Sequence, residues 1–188
     1  MRPFLSIWIS PLETYKHLAT RDDSENRFMI NLLSTLITIG VVIPQLNEFS
    51  ELFGSQKIVG LIIGIIVFGL TGILLIRFLL AMTYWAVGKI FKGEASKNQI
   101  QLVVAYGLIP YLIYLAIGLI LIVPALMTQN LDLIFYRHPL THFVVWLVTA
   151  RNLIYGLSYF NKFSYLYALL TILISSGIYA LLRLIVIS

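Results

Sequence analysis

The sequence contains no cysteine. Disulfide bonds, thiolate zinc sites, cysteine nucleophiles and palmitoylation of a thiol are therefore excluded. The absence of cysteine does not by itself assign a cellular compartment.

Charged residues are also scarce. They make up 11% of the 188 positions, against 60% for hydrophobic residues, whereas soluble domains average about 25% charged and about 45–50% apolar residues. This predicts an integral membrane protein with one domain over residues 1–188, because no soluble segment is long enough to bury a core of its own. The net charge of +5 comes from basic residues at the ends of apolar runs, not from a basic stripe with interleaved aromatics, so nucleic acid is not an expected partner.

The alternation typical of β-strands is missing as well, which leaves helices as the spanning elements. A helix needs about 20 residues to cross about 30 Å of hydrocarbon. The apolar runs predict an all-α integral membrane bundle of five transmembrane helices, at residues 26–46, 58–88, 99–127, 139–157 and 163–187. Residues 1–25 are predicted to form a cytoplasmic interfacial segment.

Local signals set some of the helix limits. Asp22 and Glu25 form a predicted capping pair at the start of the first span, and Pro44 is expected to mark its far end. Gly107 and Pro110 predict a bend in the third span, because proline has no N–H to donate to the carbonyl four residues earlier. Pro124 is expected to mark the exit of that span.

Lysine and arginine residues orient the predicted bundle. With a cytoplasmic N-terminus, nine lie on the cytoplasmic side, three on the other, and Arg77 inside the second span. Because cytoplasmic loops carry an excess of Lys and Arg, we expect the N-terminus inside and the C-terminus outside. The nine are Arg2, Lys16, Arg21, Arg27, Lys89, Lys92, Lys97, Arg151 and Lys162; the three are Lys57, Arg137 and Arg183.

The N-terminal segment contains a predicted amphipathic helix. Ser10, Pro11 and Glu13 match a capping box with proline at the first helical position. Apolar residues then share one face while Glu13, Lys16 and His17 lie mainly on the other. The pattern predicts a short helix on the cytoplasmic leaflet, which either anchors the chain or offers a docking face to a soluble partner.

Small residues predict close helix packing in two spans. In the second span Gly60, Gly64 and Thr71 lie within about 40° of one another at about 100° per residue, and such a face lets another helix approach closely. That neighbour is either a helix of the same chain or a second copy. Near the end of the chain, the predicted packing residues are Ser176, Gly177 and Ala180.

Arg77 lies inside the second predicted span, and a charge at the bilayer centre costs about 2.5–3.5 kcal/mol on insertion scales. It follows Lys57 by 20 residues, which corresponds to about 30 Å of helix. The side chain is therefore expected to reach the cytoplasmic rim, with residues 78–91 continuing as an interfacial helix. The alternative is a functional charge in a cavity.

Metal and catalytic sites have little support. His138 and His142 are four residues apart and are weak candidate metal ligands, with Asp132, Glu48 and Glu51 predicted on the same side. No aspartate lies within a span, no phosphate-binding glycine loop is present, and Ser175 and Ser176 have no predicted base nearby. An enzyme is not expected, and no cofactor is predicted.

Three segments together resemble the Yip family of small polytopic membrane proteins, named for association with Ypt/Rab GTPases. They are IWISPLETYKHLA at residues 7–19, GKIFKGEASKNQIQLVVAYGLIP at 88–110 and WLVTARNLIYGLSYFNKFSYLYALL at 146–170. The resemblance implies an amphipathic opening, a short basic loop between the second and third spans, and a Gly-x-Ser turn at the exit of the fourth span. It also implies a cytoplasmic N-terminus and a C-terminus across the membrane.

The chain departs from eukaryotic members of that family. Those members carry a longer cytosolic N-terminal region with an Asp-Leu-Tyr-Gly-Pro-like motif, and a Gly-Tyr pair in the third span where this chain has Ala105 and Tyr106. Binding of Rab-type GTPases is therefore not expected. The resemblance implies a prokaryotic member in the plasma (inner) membrane of a bacterium.

These observations predict a non-enzymatic membrane-organising scaffold that recruits a partner, either a second copy or another membrane protein. The alternative is a component of small-solute or ion transport. The lipid bilayer is an expected partner in both cases. The candidate functional residues are Arg77, Lys89, Lys92, Lys97, Tyr106, Gly107 and Pro110.

Overall fold

The computed structural model describes residues 3–128 and 138–187, which are helical with no strand in either range. Nine α-helices are assigned in these ranges. They are α1 (Pro3–Ser6), α2 (Pro11–Leu18), α3 (Asp23–Glu51), α4 (Lys57–Leu74), α5 (Ala81–Ile90), α6 (Lys97–Gly107), α7 (Leu112–Thr128), α8 (Pro139–Asn161) and α9 (Tyr165–Ile187).

The first long helix, α3, begins where the sequence predicts and ends later. Asp22 occupies the N-cap position, and its carboxylate accepts a hydrogen bond from the Ser24 hydroxyl at 2.6 Å instead of forming a reciprocal pair with Glu25. The helix then continues through Pro44 to Glu51, while the segment apolar enough to span a membrane, Ser24–Ile43, ends beside Pro44 as predicted. Membrane helices tolerate proline because neighbouring helices and side chains satisfy the freed backbone groups.

The second apolar run forms one uninterrupted helical rod from Lys57 to Ile90. Residues Leu75–Leu80 form a π-helical segment between α4 and α5, so the rod changes its winding at Arg77. The predicted interfacial helix at 78–91 is not a separate element, because α5 continues the rod and buries Ala81, Tyr84 and Val87.

The third apolar run is broken in the predicted region. α6 ends at Gly107, a 3₁₀ turn spans Ile109–Tyr111, and α7 follows from Leu112. Pro124, in contrast, lies inside α7, and its carbonyl accepts a hydrogen bond from the Thr128 hydroxyl at 2.8 Å. The helix therefore continues past Pro124, although the candidate membrane span, Lys97–Leu121, ends close to the predicted exit.

The fourth run is helical over Pro139–Asn161. The predicted Gly-x-Ser turn at residues 156–158 therefore lies inside α8, and the chain turns only at Lys162, whose φ of 56° is left-handed. The Ser158 hydroxyl donates to the carbonyl of Phe163 at 2.6 Å, which ties the end of α8 to the turn.

Within residues 3–128 and 138–187, four helical segments are long and apolar enough to cross a membrane. They are Ser24–Ile43, Gly54–Ile90, Lys97–Leu121 and Pro139–Asn161. In α9 the described apolar stretch, Tyr165–Leu181, is shorter than these four, so the count of five spans is not confirmed and stays a prediction.

The most completely buried element is α6. Every residue from Ile100 to Gly107 is buried, because α6 contacts α3, α5, α8 and the π-helical segment around it. α2 packs against α8 and contributes the fully buried side chains of Tyr15 and Leu18 to the same core. The core therefore lies around α6, at the end of the bundle where the N-terminal helices dock.

Candidate functional site

Two connecting segments bind each other at the end of the bundle where α6 begins. The backbone N–H of Glu94 donates to the carbonyl of Asn161 at 3.2 Å, and the Glu94 carboxylate pairs with the Lys162 ammonium group at 2.7 Å. A Cβ at Gly93 would collide with the Asn161 side chain, so glycine permits this approach. We call this end, with connections 19–22, 91–96 and 162–164, the loop end.

The three predicted lysines of the basic loop have different surroundings. Lys89 donates to the carbonyl of Gly93 at 2.7 Å. The Trp85 ring lies near two ammonium groups, at 5.9 Å from Lys89 and 4.8 Å from Lys97, which are cation–π distances. Lys92 is exposed and left-handed, with φ of 60°. Two lysines therefore help to order the loop, and Lys92 projects from it.

The amphipathic helix α2 docks into the bundle. Tyr15 is fully buried, and its hydroxyl donates to the carbonyl of Val103 at 3.2 Å. A Cβ at Gly156 would lie 2.7 Å from Tyr15 Cζ, and one at Gly107 would lie 2.5 Å from Leu153 Cδ2. Small residues on α6 and α8 thus make room for α2.

This docking corrects two expectations for the N-terminal segment. The buried face of α2 contacts the chain's own helices, so it is available neither to the leaflet nor to a soluble partner. Ser10 stands at the N-cap, but its side chain forms no cap hydrogen bond, and Glu13 pairs with Lys16 at 2.8 Å instead. The predicted helix start is observed, while the capping box is not.

Burial also changes the acidity of Tyr15. Loss of solvent raises the pKa of its hydroxyl well above the ordinary value of 10.0, and the nearby Tyr106 raises it further. The hydroxyl therefore remains a hydrogen-bond donor to Val103 through the physiological range.

Arg151 holds the first turns of the chain. Its Nη2 atom lies 2.6 Å from the carbonyl oxygen of Trp8 and 3.3 Å from that of Ile7. A guanidinium group can satisfy several carbonyls at once because it carries five N–H donors. The sequence identified Arg151 only as a topology-determining charge and missed this role, since its partners lie more than 140 residues away.

Arg77 joins three helical segments. Its Nε donates to Gln101 Oε1 at 2.9 Å, and its Nη1 donates to Asn31 Oδ1 at 3.0 Å. The guanidinium group also lies 5.6 Å from the centre of the Phe78 ring. Arg77 is thus a part-buried link between α3, the π-helical segment and α6, rather than a side chain that extends freely to a rim.

A polar pocket lies beside this link at the loop end. Gln101 lines it, together with Arg21, Asn26, Arg27 and Ser96. Sequence analysis did not single out any of these as a site. The signal that was available is Gln101 itself, a polar residue one turn inside an apolar helix that proves to be only 6% exposed.

The remaining residues of the predicted bend are buried. Tyr106 is 1% exposed, and Pro110 lies in the buried part of the 3₁₀ turn. Gly107 faces α8 and α2, as described above. The break in the third span therefore faces packed helices.

The two candidate metal ligands have separate partners. His142 Nδ1 lies 2.8 Å from the Tyr114 hydroxyl, and His138 Nδ1 accepts from the N–H of Leu140 at 3.2 Å. Glu51 lies near Lys57, at 4.0 Å, while Asp132 lies outside the described residues. Among residues 3–128 and 138–187, no group of three His, Cys, Asp or Glu residues is placed to hold a metal ion.

The predicted small-residue faces differ in their surroundings. Gly60 and Gly64 are buried against the end of α3 and the residues just after it, where added Cβ atoms would lie 2.7 Å from Phe53 and 2.8 Å from Leu46. Thr71 is half-buried beside them.

On α9 the small residues named from sequence point outward. Ser176, Gly177 and Ala180 are exposed, and an added Cβ at Gly177 would meet nothing within 4 Å. The contact face of α9 instead carries the buried residues Ala168, Thr171 and Ser175, so the predicted face is displaced around the helix.

Long apolar helices with polar connections define the class: this is a multi-pass transmembrane protein. A family model, the Yip1 domain, matches residues 5–187. The chain therefore belongs to the Yip1 domain family. No curated protein and no solved structure matches it.

Proposed function

We propose that this Yip1 domain protein is a non-enzymatic membrane-organising scaffold that recruits a second copy or another membrane protein through its loop end. The observation that carries the proposal is the mutual binding of the two connections through Glu94, Asn161 and Lys162. A connection held in one conformation presents its exposed charges at fixed positions, which reduces the entropy lost on binding a partner.

We also propose that the protein lies in a bacterial plasma membrane, with its N-terminus and the loop end in the cytoplasm. Lys92 and Lys97 are exposed at this end, and cytoplasmic loops carry an excess of such residues. Cysteine accessibility tests this orientation, because the chain has no cysteine of its own. Lys92→Cys and Gln56→Cys each introduce a single thiol, and the two thiols lie at opposite ends of the helical bundle. Labelling of Lys92→Cys by an impermeant reagent in intact cells would contradict it.

The surroundings of the helix break also favour a scaffold over a transport component. A conduction path at Gly107 requires water-accessible space beside irregular backbone. Gly107 instead packs against Leu153 and lies near the Tyr15 hydroxyl.

Site-specific crosslinking tests partner recruitment. A photoreactive residue at Lys92 should give a reproducible crosslink in native membranes, and the same residue at Gln56 should not. In a separate experiment, a cysteine introduced at a nearby position of the same loop carries the crosslinker. Lys92→Glu should weaken this crosslink, whereas the matched charge reversal Lys57→Glu should leave it unchanged. Recovery of monomer alone from position 92 would count against the scaffold.

A second candidate function, transport of a small ion or solute, is favoured by one observation. Arg77 is held on a π-helical segment by Asn31 and Gln101, and Gln101 also lines the polar pocket. π-Helical turns inside α-helices often occur at functional sites.

Proteoliposomes test this alternative directly. Flux of Na⁺, K⁺ or protons through the reconstituted protein should be lost in Arg77→Ala and retained at least in part in Arg77→Lys. Lys57→Ala is the matched control for loss of one positive charge. Absence of flux in the unmodified protein would leave the scaffold as the better proposal.

A further inference from the structure

The polar pocket at the loop end is strongly biased in charge. It has a volume of about 230 Å³ and lies among the α2–α3 connection, α3 and α6. Of the described residues that line it, Arg21 and Arg27 are cationic and none is acidic. Two guanidinium groups without a lining carboxylate favour an anionic occupant.

The glutamines of the pocket are oriented as donors. Gln101 Oε1 accepts from Arg77 at 2.9 Å, and Gln99 Oε1 accepts from the N–H of Ser96 at 2.8 Å. An amide whose oxygen is already engaged offers its NH₂ group to further partners. Helix α6 begins at this capped turn. Its N-terminus adds partial positive charge to the pocket.

Asn26 adds no acceptor to the pocket. Its Nδ2 donates to the carbonyl of Leu18 at 3.3 Å, and its Oδ1 is buried out of the reach of solvent. The pocket therefore offers two cations and amide donors, which suits an anion.

We propose that this pocket binds a phosphate group on a small polar unit, of which glycerol phosphate is a simple form. Arg21 and Arg27 bind the phosphate oxygens, because a guanidinium fork matches phosphate geometry. The pocket volume of about 230 Å³ is several times the volume of about 30 Å³ that one water occupies in the liquid, so the pocket has room for such a unit.

The same chemistry occurs in a lipid headgroup and in a soluble metabolite, and two assays on the full-length protein separate them. Native mass spectrometry from detergent measures binding of phosphatidylglycerol, with phosphatidylcholine as the zwitterionic comparison. Isothermal titration measures binding of free glycerol 3-phosphate. Neither assay needs a protein partner, so this proposal and the scaffold proposal fail separately.

The decisive variants are two pairs with equal loss of charge. Arg21→Gln with Arg27→Gln should weaken binding at least about tenfold, because hydrogen bonds between two charged groups are the strong ones. The control, Lys16→Gln with Lys57→Gln, removes two exposed charges outside the pocket and should leave affinity within about twofold, since surface charges screened by salt contribute little.

Thermal melts by circular dichroism confirm that each variant is folded. Binding of the lipid alone or of glycerol 3-phosphate alone identifies the source and supports the pocket. Equal losses in the two paired variants, or binding of neither ligand, would overturn the proposal.

Discussion

The helices α4 and α6 pack by opposite means. The buried residues of α4 are all glycines, at positions 60, 64, 69 and 72, while its large side chains are exposed, as at Ile58, Ile62 and Ile66. In α6 every residue from Ile100 to Gly107 is buried, and large side chains dominate. One helix is held along a single smooth face, and the other is enclosed.

This difference follows from the solvent around each helix. Lipid provides no hydrophobic drive for helices to associate, so a peripheral helix depends on close van der Waals contact, which glycine allows. An enclosed helix is held from several directions, and a displacement in any direction meets a neighbour. Added volume should therefore cost more around α6 than along α4.

The largest effect is expected for Gly156→Val, on the α8 face that contacts α6. A Cβ at this position lies 2.7 Å from both Tyr15 Cζ and Val103 Cγ1, and such overpacking costs about 1–3 kcal/mol or more. The thermal midpoint in detergent should fall, and Tyr15→Ala should restore part of it by making room. Gly177→Val, at an open position, is the control; an equal fall there would contradict the enclosure of α6.

A smaller effect is expected for Gly72→Ala in α4. The new Cβ meets Thr38 Oγ1 and Cβ, and side-chain rotation cannot move a Cβ. We expect a net loss of about 1 kcal/mol, since α4 can shift into lipid and alanine gains about 1 kcal/mol of helix propensity. Gly69→Ala meets only the Thr35 methyl, at 3.1 Å, and should be neutral or stabilising. The reverse order in denaturation midpoints would contradict the packing.

Tyr15→Phe should cost about 0.5–1.5 kcal/mol through loss of one hydrogen bond to Val103. It should also flatten the dependence of stability on alkaline pH. Burial raises the pKa of Tyr15 in the folded state above 10.0. The stability that this hydroxyl contributes is therefore complete below pH 10.0. It declines above pH 10.0, where Tyr15 of the unfolded state loses its proton. Unfolding midpoints measured from pH 8 to pH 11 test this; identical slopes in both proteins would contradict it.

The smallest effect is expected for the surface pair of the loop end. Glu94→Gln removes the ion pair with the exposed Lys162, and such pairs contribute little because solvent and salt screen them. We expect no measurable change in the unfolding midpoint. Crosslinking from Lys92 should persist, because the Glu94 N–H still donates to Asn161. A large loss of stability would show that the pair has a role beyond joining the loops.

Local sequence signals predicted the helical elements well and their ends less well. The break at Gly107 was predictable because Pro110 has no N–H and so removes one backbone hydrogen bond of the helix. Pro44 and Pro124 lie close to the ends of their candidate spans, but the sequence did not predict that the helices continue past them, because neighbouring residues decide whether a helix continues past a proline. The same limit explains α9, where a turn-by-turn reading found small residues but could not tell which side faced the other helices.

The candidate site was much less predictable. Arg77 was recognisable as an unusual charge, but its partners Asn31 and Gln101 lie 46 and 24 residues away, and a single sequence carries no signal that joins them. Two residues of the predicted apolar face of α2, Tyr15 and Leu18, are buried. The sequence did not predict that the chain's own helices cover them, because apolar residues indicate burial without specifying whether lipid or protein covers them.

The bonds from Arg151 to the carbonyls of Ile7 and Trp8 set an order for biogenesis. The donor follows its acceptors by 144 and 143 residues, which take about 7 to 29 seconds to synthesise at about 5–20 residues per second. Ile7 and Trp8 therefore reach their final place only after Arg151 in α8 has been made. Until then the apolar face of α2 needs other cover, and a ribosome stalled before Arg151 should leave the N-terminal segment accessible to protease.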